Sequence, residues 1–268
     1  MNTAVPHRIL LLNPNTTGAV TTRLVEHLQP LCPPGVSLEP RTAAFGAPYI
    51  ACEASHAVAG HAVLQAWLEA PAADAVLIGC FGDPGLFALR ERCGVPVTGL
   101  AEAAFIEASR HGPFAVVTGG ERWRPMLLRL AQALGHGQAL VHIETVAPSG
   151  AQLLADPALA QTHLSRACEA AARSGARAII IGGAGLAGWA ARLQPSSPVP
   201  LIDSVEAGLR VILAGRAPRA ACVAAHETAD EPAHERAHEH AHDHAANADA
   251  RTELVRWLPV LGRPTPPT

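Results

Sequence analysis

One strand-and-turn pattern occurs twice in this 268-residue chain, and this repeat constrains its fold more than any other feature. The stretch DAVLIGCFG at 74–82 aligns with RAIIIGGAG at 177–185. In each stretch an apolar run typical of a buried strand stops at a glycine-rich turn. The alignment sets Cys80 opposite Gly183, so the two copies differ at the centre of the turn.

Two further correspondences occur in the same order and at nearly the same spacing. VPVTGLAEAAF aligns with VPLIDSVEAGL, which sets Glu102 opposite Glu206. RILLLNP aligns with FAVVTGG, which sets Asn13 opposite Thr118. Three ordered correspondences favour a duplication, and the chain is therefore predicted to fold as two similar halves.

Strands alternate with helices along both halves. Short aliphatic runs predict strands over residues 8–12, 75–78, 114–117 and 178–181. Apolar residues at helical spacing predict helices over residues 18–29, 57–69, 123–134 and 204–213. The alternation predicts an α/β protein with two pseudosymmetric Rossmann-like or flavodoxin-like lobes, each a parallel sheet covered by helices. Because ligands bind beyond the carboxyl ends of parallel strands, the active site is expected in the cleft between the lobes.

The predicted boundaries divide the chain into four parts. Residues 1–98 with about 207–225 form the first α/β lobe, and residues 99–206 form the second. Residues 226–250 are rich in alanine, histidine and acids, which favours a disordered or loosely helical tail. The histidines of this tail are candidate ligands for a transition metal. Residues 251–268 form a C-terminal segment that is expected to dock on the body.

Composition and motifs exclude several classes of function. The formal net charge of −3 gives no basic excess for nucleic acid or an anionic membrane. No signal peptide or membrane-spanning run is found, so a cytoplasmic protein with a small-molecule substrate is expected. No G-x-S-x-G or G-x-G-x-x-G follows a strand, which argues against a serine hydrolase and a dinucleotide site. The six cysteines include no C-x-x-C pair, which argues against a zinc or redox motif.

Cys80 is the candidate reactive group. It stands where a predicted strand gives way to a loop, between Gly79 and Gly82. Glycines let a ligand approach the backbone and leave amide groups free to bind an oxyanion. Such amides are expected to lower the thiol pKa from its usual value of about 8.5. The alternative is a cysteine that fills space at the end of a buried strand.

Three motifs resemble the hydantoin racemase family of the aspartate/glutamate racemase superfamily, to which allantoin racemases are closely related. They are LLNPNTT, GCFGDPGL and GLAEAA, and the resemblance covers residues 8–215. It implies two pseudosymmetric lobes with the active site between them, and catalysis without a metal or cofactor. Lobes of this kind often pair, so a homo-oligomer is expected.

The resemblance also implies a mechanism. In the family one cysteine removes the proton at C5 of the ring, and a second cysteine on the opposite face returns one. The flat carbanion is an enolate, so its oxygen needs hydrogen-bond donors. By resemblance Cys80 is the first-lobe catalytic cysteine. The residues expected to hold the ring or the oxyanion are Asn13, Thr16, Thr17, Phe81, Gly82, Thr118, Gly119, Gly120, Gly183, Ala184 and Gly185. Asp83 and Glu102 are further candidates; for Glu102 a helix-capping or interdomain contact is the alternative.

The chain departs from the family at the second cysteine. Relatives carry a GCAG-like stretch in the second lobe, whereas this chain has glycine at position 183. None of Cys93, Cys168 and Cys222 aligns with the missing thiol. The protein is therefore either a racemase in which another group or water supplies the second proton, or a one-cysteine decarboxylase, lyase or isomerase. Arylmalonate decarboxylase and maleate isomerase of the same superfamily exemplify the latter. A non-catalytic protein that binds a ureide or dicarboxylate is the third alternative, and the intact GCFGDPGL argues against it.

Overall fold

The computed structural model describes residues 7–147 and 150–215. The strands within these residues are β1 (Arg8–Asn13), β2 (Ser37–Thr42), β3 (Ala75–Ile78), β4 (Val97–Gly99), β5 (Phe114–Gly119), β6 (Leu140–Val146), β7 (Ala178–Gly182) and β8 (Leu201–Asp203). The α-helices are α1 (Gly18–Leu28), α2 (Glu53–Glu69), α3 (Leu86–Arg92), α4 (Leu100–Ala108), α5 (Trp123–Ala133), α6 (Gly150–Ala155), α7 (Pro157–Ala172), α8 (Trp189–Leu193) and α9 (Ser204–Leu213). None of these helices is long and apolar enough to cross a membrane.

The strands form two parallel sheets of the same topology, which confirms the predicted fold class. The first sheet has the order β2-β1-β3-β4 and the second has the order β6-β5-β7-β8. Leu12 pairs with Ile78 in the first sheet, and Val117 pairs with Ile181 in the second. Asn13 and Thr118 each follow one of these pairs, so they occupy equivalent positions at the carboxyl edges of the two sheets.

The turns that follow the repeated strands also match. Gly85 precedes α3 with φ 78° and Gly188 precedes α8 with φ 83°. Both are in the left-handed region, which an L side chain adopts only at a cost and glycine adopts freely. The repeat therefore extends through strand, turn and following helix.

Alternate residues of the central strands face two different cores. In β1, Ile9 and Leu11 face a central core shared by both sheets, whereas Leu10 and Leu12 face α2 and α3. Each such leucine buries apolar surface worth about 1.5–3 kcal/mol. The second sheet repeats this alternation, with Val116 in the central core and Val117 facing α7 and α8.

The helices α4 and α9 join the two lobes. Each contacts strands of both sheets, and the two helices pack against one another. Helix α9 lies so close to the first sheet that a Cβ on Gly208 would be 2.8 Å from Leu77 Cδ1. The lobe boundaries given above stay a prediction, and residues 226–250 and 251–268 lie outside the described residues.

The strands at the sheet edges were not predicted, and one predicted helix starts elsewhere than expected. The sequence of β2 contains Pro40, which interrupts the strand pattern but is tolerated at a sheet edge. Helix α2 begins at Glu53 rather than at residue 57, because Cys52 and Ser55 form a capping box that starts it earlier.

Candidate active site

The carboxyl ends of β1, β3, β5 and β7 meet at one cavity between the lobes. Its volume is about 120 Å³, close to the roughly 150 Å³ of an engineered cavity that holds benzene. The lining residues are Asn15, Val20, Tyr49, Ile50, Ala51, Gly79, Cys80, Phe81, Thr118, Gly119, Gly120, Trp123, Gly182, Gly183, Ala184, Gly185 and Leu186. The cavity therefore takes a small molecule about the size of one ring.

Cys80 lies two residues beyond the last residue of β3 and is 8% exposed. The amide of Gly79 donates to Leu12 O at 2.7 Å, which fixes the turn to β1. The amides of Gly82 and Asp83 donate to the carbonyl oxygen of Cys80 at 3.1 and 3.2 Å. They are thus directed at the backbone and not at the sulfur.

The expectation of a lowered thiol pKa is wrong. Burial raises the pKa of Cys80 well above its ordinary value, and the negative charge of Asp83 raises it further. Among the described residues no group donates a hydrogen bond to Sγ. The thiol therefore carries its proton at neutral pH.

Asp83 is turned away from the cavity and caps α4. Its carboxylate accepts from the Ala101 amide at 2.9 Å and the Glu102 amide at 2.7 Å. Gly99 precedes the helix without a side chain, and a Cβ there would lie 2.2 Å from Asp83 Cγ. Burial raises the pKa of Asp83 to about 7, although the two amides lower it. Asp83 itself adopts φ 49°, so the cap is made in a strained turn.

Glu102 does not line the cavity either. Its carboxylate accepts from Arg90 Nη2 at 2.6 Å and from Thr98 Oγ1 at 2.8 Å. These partners lie on α3 and β4, so the carboxylate joins α4 to the neighbouring elements of the first sheet and does not cap a helix. Glu102 holds the elements around the first-lobe turn together.

Asn13 organises the loop after β1, and Asn15 faces the cavity. The Asn13 Nδ2 group donates to Asn15 Oδ1 at 3.1 Å and to Thr21 Oγ1 at 2.9 Å. Asn15 lines the cavity, and its own Nδ2 group has no partner among the described residues. The sequence reasoning missed Asn15, although the same motif contains it.

Thr16 and Thr17 attach a neighbouring loop to this site. The Thr16 amide donates to Ala47 O at 3.2 Å, and the Thr17 hydroxyl donates to Pro48 O at 2.6 Å. This loop places Tyr49 and Ile50 in the cavity wall. Neither threonine lines the cavity, so their role is to hold the loop. No motif in the sequence marked the loop as part of the site.

The rings of Phe81 and Trp123 each reach across the cleft and pack against a glycine of the opposite lobe, where a side chain would collide with the ring. A Cβ on Gly182 would lie 2.2 Å from Phe81 Cε1, so the first-lobe phenylalanine packs directly on second-lobe backbone. A Cβ on Gly82 would lie 2.4 Å from Trp123 Cζ3. Gly82 does not line the cavity, and its carbonyl is hydrogen-bonded to His56 Nε2 at 2.8 Å.

The second-lobe wall consists mainly of backbone. Thr118 lines it and donates from its hydroxyl to Gly182 O at 2.8 Å. Gly183 has φ 144°, and its amide donates to Ser204 Oγ at 3.2 Å. Gly119, Gly120, Ala184 and Gly185 complete the wall. The wall offers small groups and amides at the position where, by the resemblance, relatives carry a second thiol.

Three amides of the cavity are candidate oxyanion donors. Those of Phe81, Ala184 and Gly185 have no acceptor among the described residues, and all three residues line the cavity. Preorganised donors of this kind stabilise a developing negative charge most effectively in a water-poor site.

The lining contains no charged side chain and one thiol. The cavity therefore has no cation to pair with a carboxylate substrate. Cys80 is the only Cys, His, Asp or Glu among the described lining residues, so the wall does not supply the three protein ligands of a catalytic zinc. Cys93 and Cys168 are buried in the outer cores, and Cys222 lies outside the described residues.

Residues 9–212 match the family model described as Asp/Glu/Hydantoin racemase. A hydantoin racemase from Paenarthrobacter aurescens is 33% identical over 214 residues, which span 76% of this chain and 89% of the relative. The structure of an allantoin racemase from Klebsiella pneumoniae is 30% identical with a TM-score of 0.73, covering 77% of this chain and 86% of that one. An unliganded arylmalonate decarboxylase shares the fold alone, at 17% identity and a TM-score of 0.53 over 77% of this chain and 91% of that one.

Proposed function

Because the chain belongs to the Asp/Glu/Hydantoin racemase family, we propose that it racemises or epimerises a hydantoin-like ring, either a 5-substituted hydantoin or allantoin, with Cys80 as the proton-transfer residue. The observation that carries the proposal is a buried thiol in an uncharged cavity between the lobes. A hydantoin ring is neutral and polar, so it needs hydrogen bonds but no counter-charge. An amino dicarboxylate would bring two carboxylates into a wall without a cation, which is costly.

The proton transfer starts from the Cys80 thiolate, which forms when the thiol gives its proton to solvent and is regenerated in the same way after each turnover. The thiolate takes the proton from C5, and the electron pair of the C–H bond delocalises onto the neighbouring carbonyl oxygen as an enolate. The unpaired amides of Phe81, Ala184 and Gly185 and the Nδ2 group of Asn15 are the donors for that oxygen. Water or another group returns a proton on the other face, since Gly183 has no side chain.

A one-cysteine decarboxylase, lyase or isomerase is the second candidate, and the raised pKa of Cys80 favours it. A thiol that is protonated at rest delivers a proton to a carbanion without first acting as a base. Loss of carbon dioxide generates such a carbanion, and delivery from one face needs only one thiol. The uncharged wall disfavours a malonate dianion, which ranks this candidate second.

The deciding experiment combines circular dichroism with proton NMR in D₂O on each enantiomer of allantoin and of a 5-substituted hydantoin. A sample without protein is the control for spontaneous exchange, and Cys80→Ser shows how much of the remaining uptake depends on the thiol. Loss of optical signal with deuterium uptake from either enantiomer supports the racemase. Deuterium uptake with retained configuration moves the assignment to one-faced chemistry. Absence of both signals excludes these substrates, and malonates and maleate are then tested before a binding role is considered.

A further inference from the structure

A cluster of metal-ligating side chains lies away from the cavity, where α1 meets α9. His27 is in the last turn of α1, Asp203 is the N-cap of α9, and Glu206 is in the first turn of α9. One ligand atom from each lies within 4.8 Å of the others. None of the three lines the candidate active site. An imidazole and two carboxylates form a donor set that Zn²⁺ binds in proteins.

The imidazole of His27 has an unused nitrogen in this cluster. Its Nε2 atom is shielded from solvent and makes no hydrogen bond in the described part of the chain. Glu206 Oε1 lies 3.2 Å away, close enough for an ion pair when the imidazole is protonated. In the neutral imidazole this buried nitrogen makes no hydrogen bond beside two carboxylates, and a cation would supply its partner.

The two carboxylates are held in place by other groups. The Val205 amide donates to Asp203 Oδ1 at 2.9 Å, and the Gly188 amide donates to Asp203 Oδ2 at 2.6 Å. Arg210 Nη1 donates to Glu206 Oε2 at 2.9 Å. Such outer partners orient metal ligands and leave lone pairs free for the ion.

The spacing of the cluster also suits a cation, because the three ligand atoms lie within 4.8 Å of one another. Zinc bonds of about 2.1 Å hold tetrahedral donors about 3.4 Å apart. The side chains of His27 and Glu206 are 23% and 27% exposed, which leaves them room to close on the ion.

We propose that His27, Asp203 and Glu206 form a structural site for a zinc-like divalent cation, with water as a fourth ligand. The ion would fasten α1 of the first lobe to the start of α9. Through the Gly188 amide on Asp203, it would also fasten the turn that follows the cavity residue Leu186. Since such an ion binds the folded state, it stabilises the fold and takes no part in proton transfer.

The test measures zinc bound per chain by equilibrium dialysis against a zinc buffer, with the full chain and three full-chain variants. The histidine-rich residues 226–250 are present in every protein, so their sites cancel in the comparison. His27→Gln and Glu206→Gln each remove one ligand. His142→Gln is the matched control, because His142 Nε2 lies 2.9 Å from Glu144 Oε2 and belongs to no three-ligand cluster in the described ranges.

The expected result is one zinc ion fewer per chain for His27→Gln and Glu206→Gln, and an unchanged number for His142→Gln. Zinc should also raise the Tm of the unmodified chain and the control more than that of either ligand variant. Circular dichroism of the metal-free proteins establishes that each variant is folded. Equal zinc content in all four proteins overturns the proposal, as does an equal loss in the His142 control.

Discussion

Replacement of Gly183 by cysteine tests whether the second half of a two-thiol site is still formed. Gly183 has φ 144° and ψ 135°, a conformation that L residues rarely adopt. The direction of a new Cβ is open, since its nearest neighbour would be Leu186 Cγ at 3.5 Å. The obstacle to a side chain is therefore backbone strain and not lack of space.

The backbone strain at position 183 determines how much unfolding free energy the substitution costs. A non-glycine residue in a sparsely populated region costs about 1–3 kcal/mol, and an ordinary van der Waals contact with Leu186 adds no steric cost. Gly183→Ala carries the same strain without a thiol, so it is the matched control. We expect both variants to lose about 1–3 kcal/mol of unfolding free energy relative to the unmodified chain.

The activity is then compared between the two variants, so that the strain cancels. A positioned acid or base contributes about 10²–10⁴-fold, and a thiol on a strained turn should reach the lower end of that range. Racemisation by Gly183→Cys is expected about 10²-fold above that of Gly183→Ala. Chemical denaturation gives the stability and circular dichroism of a single hydantoin enantiomer gives the rate. Equal rates would refute a preserved two-thiol geometry, and unchanged stability would refute the requirement for glycine.

Three further predictions concern the first lobe and the interlobe contact. Cys80→Ser should abolish enzymatic deuterium uptake by NMR while far-ultraviolet circular dichroism stays unchanged; residual uptake would remove Cys80 from the mechanism. The uptake rate should rise with pH above the ordinary thiol pKa of about 8.5, because burial and Asp83 raise the Cys80 pKa. Asp83→Asn removes a negative charge and should move this rise to lower pH, whereas an unmoved profile contradicts the electrostatic account. Gly182→Ala should lower the free energy of unfolding by about 1–3 kcal/mol, because the new Cβ would collide with Phe81. Gly18→Ala is the control and should show no such loss in denaturant unfolding, since its Cβ would meet nothing within 4 Å.

The fold could be predicted where apolar runs are fully buried. The bounds of β3 and α9 agree with the sequence prediction, since each is a continuous apolar or amphipathic segment with clear ends. The strands β4 and β8 have three residues each and carry too little pattern to be recognised. The repeat made their existence predictable in principle, because VPVTG and VPLID end in equivalent strands.

The site residues at the ends of strands could be predicted from the sequence, whereas those that loops bring to the cavity could not. Cys80, Phe81 and Thr118 line the cavity because they lie at or just after the carboxyl ends of parallel strands. Asn13 also lies at a strand end, yet its side-chain amide donates its hydrogen bonds to Asn15 and Thr21 and does not face the cavity. Tyr49 reaches the cavity from a loop between β2 and α2, and a loop position of this kind depends on tertiary hydrogen bonds that no local pattern encodes.

The two lobes cap equivalent helices in different ways, and the difference bears on the thiol. In the second lobe Asp203 stands directly before α9 and caps it. Gly99 holds the same position before α4, and Asp83 caps α4 from the turn that contains Cys80. The cap thus anchors the Cys80 turn to a helix that contacts both sheets. It also places a buried carboxylate next to the thiol. The turn that fixes the position of Cys80 is therefore also the one that keeps it protonated. In the proposed racemisation, abstraction of the first proton requires the thiolate and is therefore the step most sensitive to the charge on Asp83.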